Sequence, residues 1–276
     1  MILLNKSDYY KLLIPLKKVE INHLFAKAVL LGQVSGTVYV DQAVHPTTFY
    51  VCHPYGMSLL FGETRNDKFN TWLLGYALND FKSRSRYEWL QAYPEAWNHK
   101  INTLWKKYLI KPENHNDLAD ELRIEVNTRV NFKFNKTTYL NLKNSYQLAA
   151  GTTICTTPEI FENMQGSVIP CRFWDNFADF SKLGAAYSVF VEDKVAATAF
   201  SAFIIGDQLE IGIETSEAYR GKGYALTACS ALIDYCLEHK FEPVWGCKLE
   251  NTASFFLAQK LGFEPTIYWP FYRLKC

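Results

Sequence analysis

Two adjoining runs decide the fold: Leu209-Glu210-Ile211-Gly212-Ile213-Glu214, and directly after it Thr215-Ser216-Glu217-Ala218-Tyr219-Arg220-Gly221-Lys222-Gly223-Tyr224-Ala225. The first alternates and is rich in β-branched residues, which predicts a strand. The sequence beyond the second is apolar with one narrow polar stripe, which predicts a helix packed deeply against a sheet. Between strand and helix, Gly221 and Gly223 allow the backbone to turn so that successive N–H groups converge. Unpaired amides at a helix start, at the positive end of its dipole, form a cradle for phosphate or pyrophosphate. A lone Gly-x-Gly is otherwise only a tight turn, so the context on both sides carries the reading.

The pattern is Arg220-x-x-Gly223-x-Ala225. It is neither a Walker loop, which needs Gly-x-x-x-x-Gly-Lys-Ser/Thr, nor the dinucleotide fingerprint Gly-x-Gly-x-x-Gly. It resembles the acyl-coenzyme A signature Gln/Arg-x-x-Gly-x-Gly/Ala of the GCN5-related N-acetyltransferase (GNAT) superfamily. From Trp174 to Phe263 the segments Trp174-Asp175-Asn176-Phe177, Phe180-Ser181-Lys182-Leu183-Gly184, Ile211-Gly212-Ile213-Glu214-Thr215, Pro243-Val244-Trp245-Gly246-Cys247 and Leu257-Ala258-Gln259-Lys260-Leu261-Gly262-Phe263 are similar to its zwittermicin-resistance-like branch. The resemblance implies an α/β (α+β) fold with a mixed, mostly antiparallel central sheet flanked by helices over the C-terminal half. The N-terminal half carries no motif of comparable specificity.

Composition narrows the classes. The chain has 276 residues, 49% of them hydrophobic, enough for one large or two ordinary domains. Lysine and arginine number 29 against 28 acids, so there is no global basic field for nucleic acid. No apolar run reaches the length of a membrane span, and the N-terminus lacks a signal-like apolar core, so a soluble cytoplasmic protein is expected. The 7 cysteines, without framework spacing or Cys-x-x-Cys, suit reduced thiols. Cys229 and Cys236 read as packing residues, and Cys52-His53 with His45 is too sparse for a metal site, so no metal is expected.

In the C-terminal half, strands are expected at 146–150, 186–192, 195–205, 208–215 and 244–248. Helices are expected at 158–164, 175–183, 223–239 and 251–261, and a final strand at 263–274. The N-terminal half repeats the order faintly: strands at 37–41, 48–53 and 58–62, a helix at 67–82, a strand at 87–93, a helix at 94–108 and a strand at 123–134. Lys111 to Asp117 reads as a polar break, and residues 116–143 suit either half. The domains expected are 1–143, an N-terminal α/β domain that is either a degenerate GNAT-like half or a plain substrate-covering domain, and 144–276, the GNAT domain.

For chemistry, the resemblance implies that an amine attacks an acetyl-coenzyme A thioester directly, with no covalent enzyme intermediate. The amides of Gly221, Lys222, Gly223, Tyr224 and Ala225 would hold the pyrophosphate, with Arg220 adding charge. Backbone groups from Ile213 to Thr215 would pair with the pantetheine arm, and Asn251, itself a natural helix cap, would contact the cofactor. The family position for a proton-donating tyrosine, seven residues after that asparagine, holds Ala258, which leaves Ser254, Tyr268 or a water. Glu214 is the leading general base and Glu210, on the same strand face, the alternative; each alone also reads as an exposed strand carboxylate. Trp245 and Cys247 border the acceptor or simply pack. The expected partner is a small-molecule amine; a non-catalytic acyl-coenzyme A sensor or scaffold and a protein or peptide acetyltransferase stay open, and neither the acceptor nor the oligomeric state can be read.

Overall fold

The computed structural model describes residues 1–111, 123–146 and 148–276. The chain folds as two compact units: the first comprises Met1–Arg129, Lys248–Glu250 and Tyr268–Cys276, the second Val130–Cys247 and Asn251–Ile267.

The first unit begins with β1 (Ile2–Leu3), α1 (Leu13–Leu16) and α2 (Leu24–Leu30), then a meander of β2 (Thr37–Val40), β3 (Thr48–Cys52) and β4 (Met57–Gly62). Helix α3 (Asp67–Ala77) leads to β5 (Glu88–Tyr93), which lies parallel to β4 from Met57↔Trp89 to Phe61↔Tyr93. Then follow α4 (Glu95–Leu104), β6 (Leu109–Ile110) and β7 (Ile124–Phe134), the last shared with the second unit. The core is aromatic: Tyr50, Trp97, Trp105 and Tyr272 are fully buried. Helix α3 stops well short of the expected Lys82. Asn79 takes a left-handed conformation, and the Arg84 guanidinium donates to the Tyr76 and Ala77 carbonyls, satisfying the last turn.

The second unit adds α5 (Lys136–Lys143), β8 (Thr152–Cys155), α6 (Pro158–Asn163), α7 (Phe177–Leu183), β9 (Ala186–Val191), β10 (Lys194–Ile205) and β11 (Gln208–Thr215). After these come α8 (Tyr224–Glu238), β12 (Glu242–Val244), β13 (Gly246–Lys248), α9 (Thr252–Lys260) and β14 (Phe263–Leu274). One sheet runs β12-β11-β10-β9-β8, with β9, β10 and β11 a hairpin meander as expected. Helix α8 buries Cys229, Leu232, Ile233 and Cys236 in a core with Val189, Ala197, Ala199 and Leu209, each large side chain contributing about 1.5–3 kcal/mol. Burial pushes the Cys229 thiol up and the Cys236 thiol up to about 12, as befits packing residues. The polar stripe of α8 is buried at Thr227 and Ser230 and opens to solvent towards Glu238; between them Asp234 accepts the Tyr139 hydroxyl at 2.9 Å and pairs with Lys143, both on α5.

The described residues between Tyr146 and Ala150 form no strand. The Ala149 N–H donates to Thr227 Oγ1 at 3.1 Å, and the edge strand is instead β8, whose Thr-Thr-Ile run is the β-branched one. The expected strand at 244–248 is broken at Trp245 into β12 and β13. The units also fall at other points than 143/144: α5 lies with the second unit, and Tyr272–Leu274 pair with β5 of the first. Of the expected polar break, residues 112–117 lie outside the described residues.

Candidate active site

Strand β11 has a parallel partner only at its start. The register with β12 runs from Gln208↔Glu242 to Glu210↔Val244 and ends there. At the next residue the chain turns away, the buried Trp245 giving its carbonyl to the Phe132 N–H at 3.1 Å. From Ile211 to Thr215 β11 is therefore bonded on the β10 side, through Thr215↔Ala197, with its other edge left by β12. The two strands thus splay apart beyond Glu210.

Beyond Thr215 the chain makes a 3₁₀ turn over Glu217–Tyr219 and reaches Gly223, which caps α8 with φ +87°. No side chain caps this helix and no acid sits in its first turn. Helices otherwise favour Ser, Thr, Asp or Asn at this position to satisfy the first amides, so α8 presents its N–H groups and dipole to whatever lies in front. A Cβ on Gly223 would meet only Ala149 Cβ, at 3.6 Å, so glycine is needed here for the left-handed backbone.

In front lies a cavity of about 640 Å³, within the usual range for small-molecule sites. Ile213, Glu214, Thr215, Arg220, Gly221, Gly223, Tyr224 and Ala225 line it, as do Asn251 and Ser254 from the start of α9. Asn251 caps α9 by accepting the Ser254 N–H at 3.2 Å. The Arg220 side chain is mostly exposed, donates to the Thr215 carbonyl at 3.3 Å and approaches Glu214 Oε1 at 3.8 Å.

Glu214 is more tightly held than an exposed strand carboxylate. Its side chain is 11% exposed, and Oε2 accepts the Ser167 and Val168 N–H groups at 2.8 and 2.9 Å. The loop before Pro170 is thereby pinned against the cavity, where Ser167 and Val168 join the lining. These two, with Phe256, Leu257 and Lys260 of α9, escape a sequence reading: the loop has no motif, and the α9 residues resemble ordinary helix faces.

Three expected residues are not brought to this cavity. Glu210 is buried, paired in register with Phe203 and Val244, and is not in the lining. Lys222 turns its Nζ back to the Ala218 carbonyl at 3.0 Å. Tyr268 belongs to the first unit, where it lines another cavity. Ala258 is fully buried in the second unit's core. Among the described residues no group of three or more His, Cys, Asp or Glu is placed to hold a metal ion, and no helix is long and apolar enough to cross a membrane.

The chain is 26% identical over 252 residues to an uncharacterized N-acetyltransferase, YdfB, of Bacillus subtilis (strain 168), covering 89% of each. Its fold is similar to that of a GCN5-related N-acetyltransferase-like protein from Streptococcus suis, with a TM-score of 0.71 at 18% identity over 98% of this chain and 100% of that one. It is also similar to a tandem GNAT protein from the clavulanic acid biosynthesis pathway, with a TM-score of 0.61 at 10% identity over 99% of this chain and 97% of that one. The family model for GNAT acetyltransferases matches residues 15–272, and the chain, an acyltransferase of mixed α/β fold, belongs to that family.

Proposed function

We propose that this acetyltransferase is a cytoplasmic enzyme that uses acetyl-coenzyme A to acylate a primary amine of a small molecule, by direct attack on the thioester. The observation that carries this is the uncapped start of α8 at the mouth of a cavity beside the unpaired half of β11. The first-turn amides and Arg220, with Lys260 opposite, suit a pyrophosphate. The free edge of Ile213 to Thr215 suits the amides of a pantetheine arm, and Ile213, Phe256 and Leu257 supply apolar wall. Of the two side chains expected as proton donors to the leaving thiolate, Ser254, at the start of α9, is the one that lines the cavity. Glu214 would take the proton of the amine through water at Oε1, since Oε2 is engaged by the loop. The zwittermicin-resistance-like segments favour an aminopolyol or amino sugar as acceptor.

A second reading, an acyl-coenzyme A sensor or scaffold, draws on two observations. The proposed base, Glu214, is tied to backbone N–H groups, and the family's tyrosine position is a buried alanine. An acetyl-coenzyme A assay across small amines and lysine peptides, read by thiol release, tests both: turnover with a small amine is expected, turnover with peptides alone moves the acceptor class, and none supports the sensor. Glu214→Gln should lower turnover about 100-fold while keeping coenzyme A affinity. Full activity in Glu214→Gln with loss in Glu210→Gln would move the base to Glu210.

A further inference from the structure

The first unit contains a cavity of about 560 Å³ that the acyl-transfer reading does not use. Into it runs β7, which with the preceding Arg123 reads Arg123-Ile124-Glu125-Val126-Asn127-Thr128-Arg129 and buries its polar positions 123, 125, 127 and 129 along with Ile124, while Val126 and Thr128 are only half-buried. Glu125 is matched by Arg273 at 2.9 Å. Asn127 is only 4% exposed and lines the cavity, yet its Nδ2 has no hydrogen-bond partner among the described residues. A buried amide donor left without an acceptor is costly, and a ligand oxygen would relieve it.

The rest of the lining narrows the ligand. Among the described residues its ionised side chains are one of each sign, Glu250 and Lys111. Glu250 is held at the wall by the Thr128 N–H, which its Oε1 accepts at 3.1 Å. Trp269 spends its ring N–H on the Ala92 carbonyl at 2.8 Å, so within the cavity it offers carbon surface, as do Val126 and Ile110. A simple cation would leave Lys111 and the Asn127 donor unmatched, and a simple anion would face Glu250. A molecule with both charges satisfies all three groups at once.

We propose that this cavity is a binding site for a small zwitterion of the α-amino acid type with an apolar side chain. Its ammonium sits on Glu250, its carboxylate on Lys111 and Asn127 Nδ2, and its side chain against Trp269. The site is independent of the coenzyme A reading, because every described residue that lines it lies in the first unit.

Calorimetry on the full chain without coenzyme A tests it, using L-phenylalanine and L-leucine against L-phenylalanine methyl ester and 3-phenylpropionate, which each lack one charge. At least one amino acid should bind, and the ester and the propionate should bind at least ten-fold more weakly. Asn127→Leu, and separately the rim variants Glu250→Gln and Lys111→Gln, which remove no buried group, should each weaken binding about ten-fold. Gly223→Val should leave it unchanged. Equal affinity for acid and ester, no binding of either amino acid at millimolar concentration, or full affinity in both rim variants would overturn the proposal. A coenzyme A titration on the same samples separates its failure from that of the acyl-transfer reading.

Discussion

Two strand-turn-helix passages in this chain start from one plan and end differently. In the first unit β4 closes an antiparallel meander, turns through residues 63–66 into α3, and the next strand, β5, returns parallel to it. In the second unit β11 closes a meander, turns into α8, and β12 returns parallel to it. The first passage is sealed. The β4–β5 ladder holds to Phe61↔Tyr93, the Asn66 side chain caps α3 by accepting the Phe69 N–H at 3.0 Å, and Trp97 donates to the Gly62 carbonyl. The second is open, with a ladder that stops at Glu210 and a helix that begins uncapped on a glycine. A helix start left without its own cap keeps its first amides available to a ligand, whereas the same topology with a cap spends one of them within the chain.

The largest effect should come from testing the sealed passage at its glycine. Gly62 has φ +100°, and a Cβ there would meet the Thr47 carbonyl oxygen at 2.1 Å, whereas one on Gly223 would meet only Ala149 Cβ, at an ordinary 3.6 Å. Gly62→Ala should cost roughly 4 kcal/mol or more in urea unfolding, against about 1 kcal/mol for Gly223→Ala, where only the backbone conformation is strained. Equal losses would break the contrast.

Next in size is a pH effect confined to the first unit. His53 is buried, its Nδ1 accepts the Tyr55 N–H at 3.0 Å, and burial lowers its pKa to about 3. The folded pKa lies below the unfolded value of about 6.5, so the unfolded chain binds the extra proton and stability falls as pH drops from 6.5 towards 3. About 3 kcal/mol should be lost between pH 6.5 and 4. Denaturant melts of His53→Asn should show a shallower acid limb than the parent; parallel limbs would contradict this.

Smaller still, Asn66→Ala removes the α3 cap and should lower stability by about 1 kcal/mol. It should not create a second coenzyme A site, because the β4–β5 ladder remains closed. A titration showing two bound coenzyme A per chain in this variant would mean that the cap alone separates the passages.

Much of this was legible in the residues. The meander turn at Gly206-Asp207, the Asn251 cap and the glycine-rich start of α8 are local signals that survive folding, and the turn expected between strands 186–192 and 195–205 falls one residue earlier than those bounds, at Glu192-Asp193 with Lys194 paired to Val191. What was not legible depends on distant partners. Tyr146 to Ala150 reads as a strand, but Thr227, far along the chain, takes the Ala149 N–H. Glu210 and Glu214 are equivalent in an isolated strand; the loop at Ser167 and the departure of β12 make one a cavity residue and bury the other. Tyr268 follows the right helix in order, yet belongs with the first unit because Tyr272–Leu274 pair with β5.

The central claim, that one open helix start makes this chain's single coenzyme A site, is tested most directly by calorimetric titration of coenzyme A into the parent and into Gly223→Val, each checked for folding by circular dichroism. One coenzyme A per parent chain is predicted, with at least ten-fold weaker binding in Gly223→Val, whose strained backbone would misalign the first-turn amides. Unchanged affinity in a folded Gly223→Val, or two equivalents bound by the parent, would contradict it.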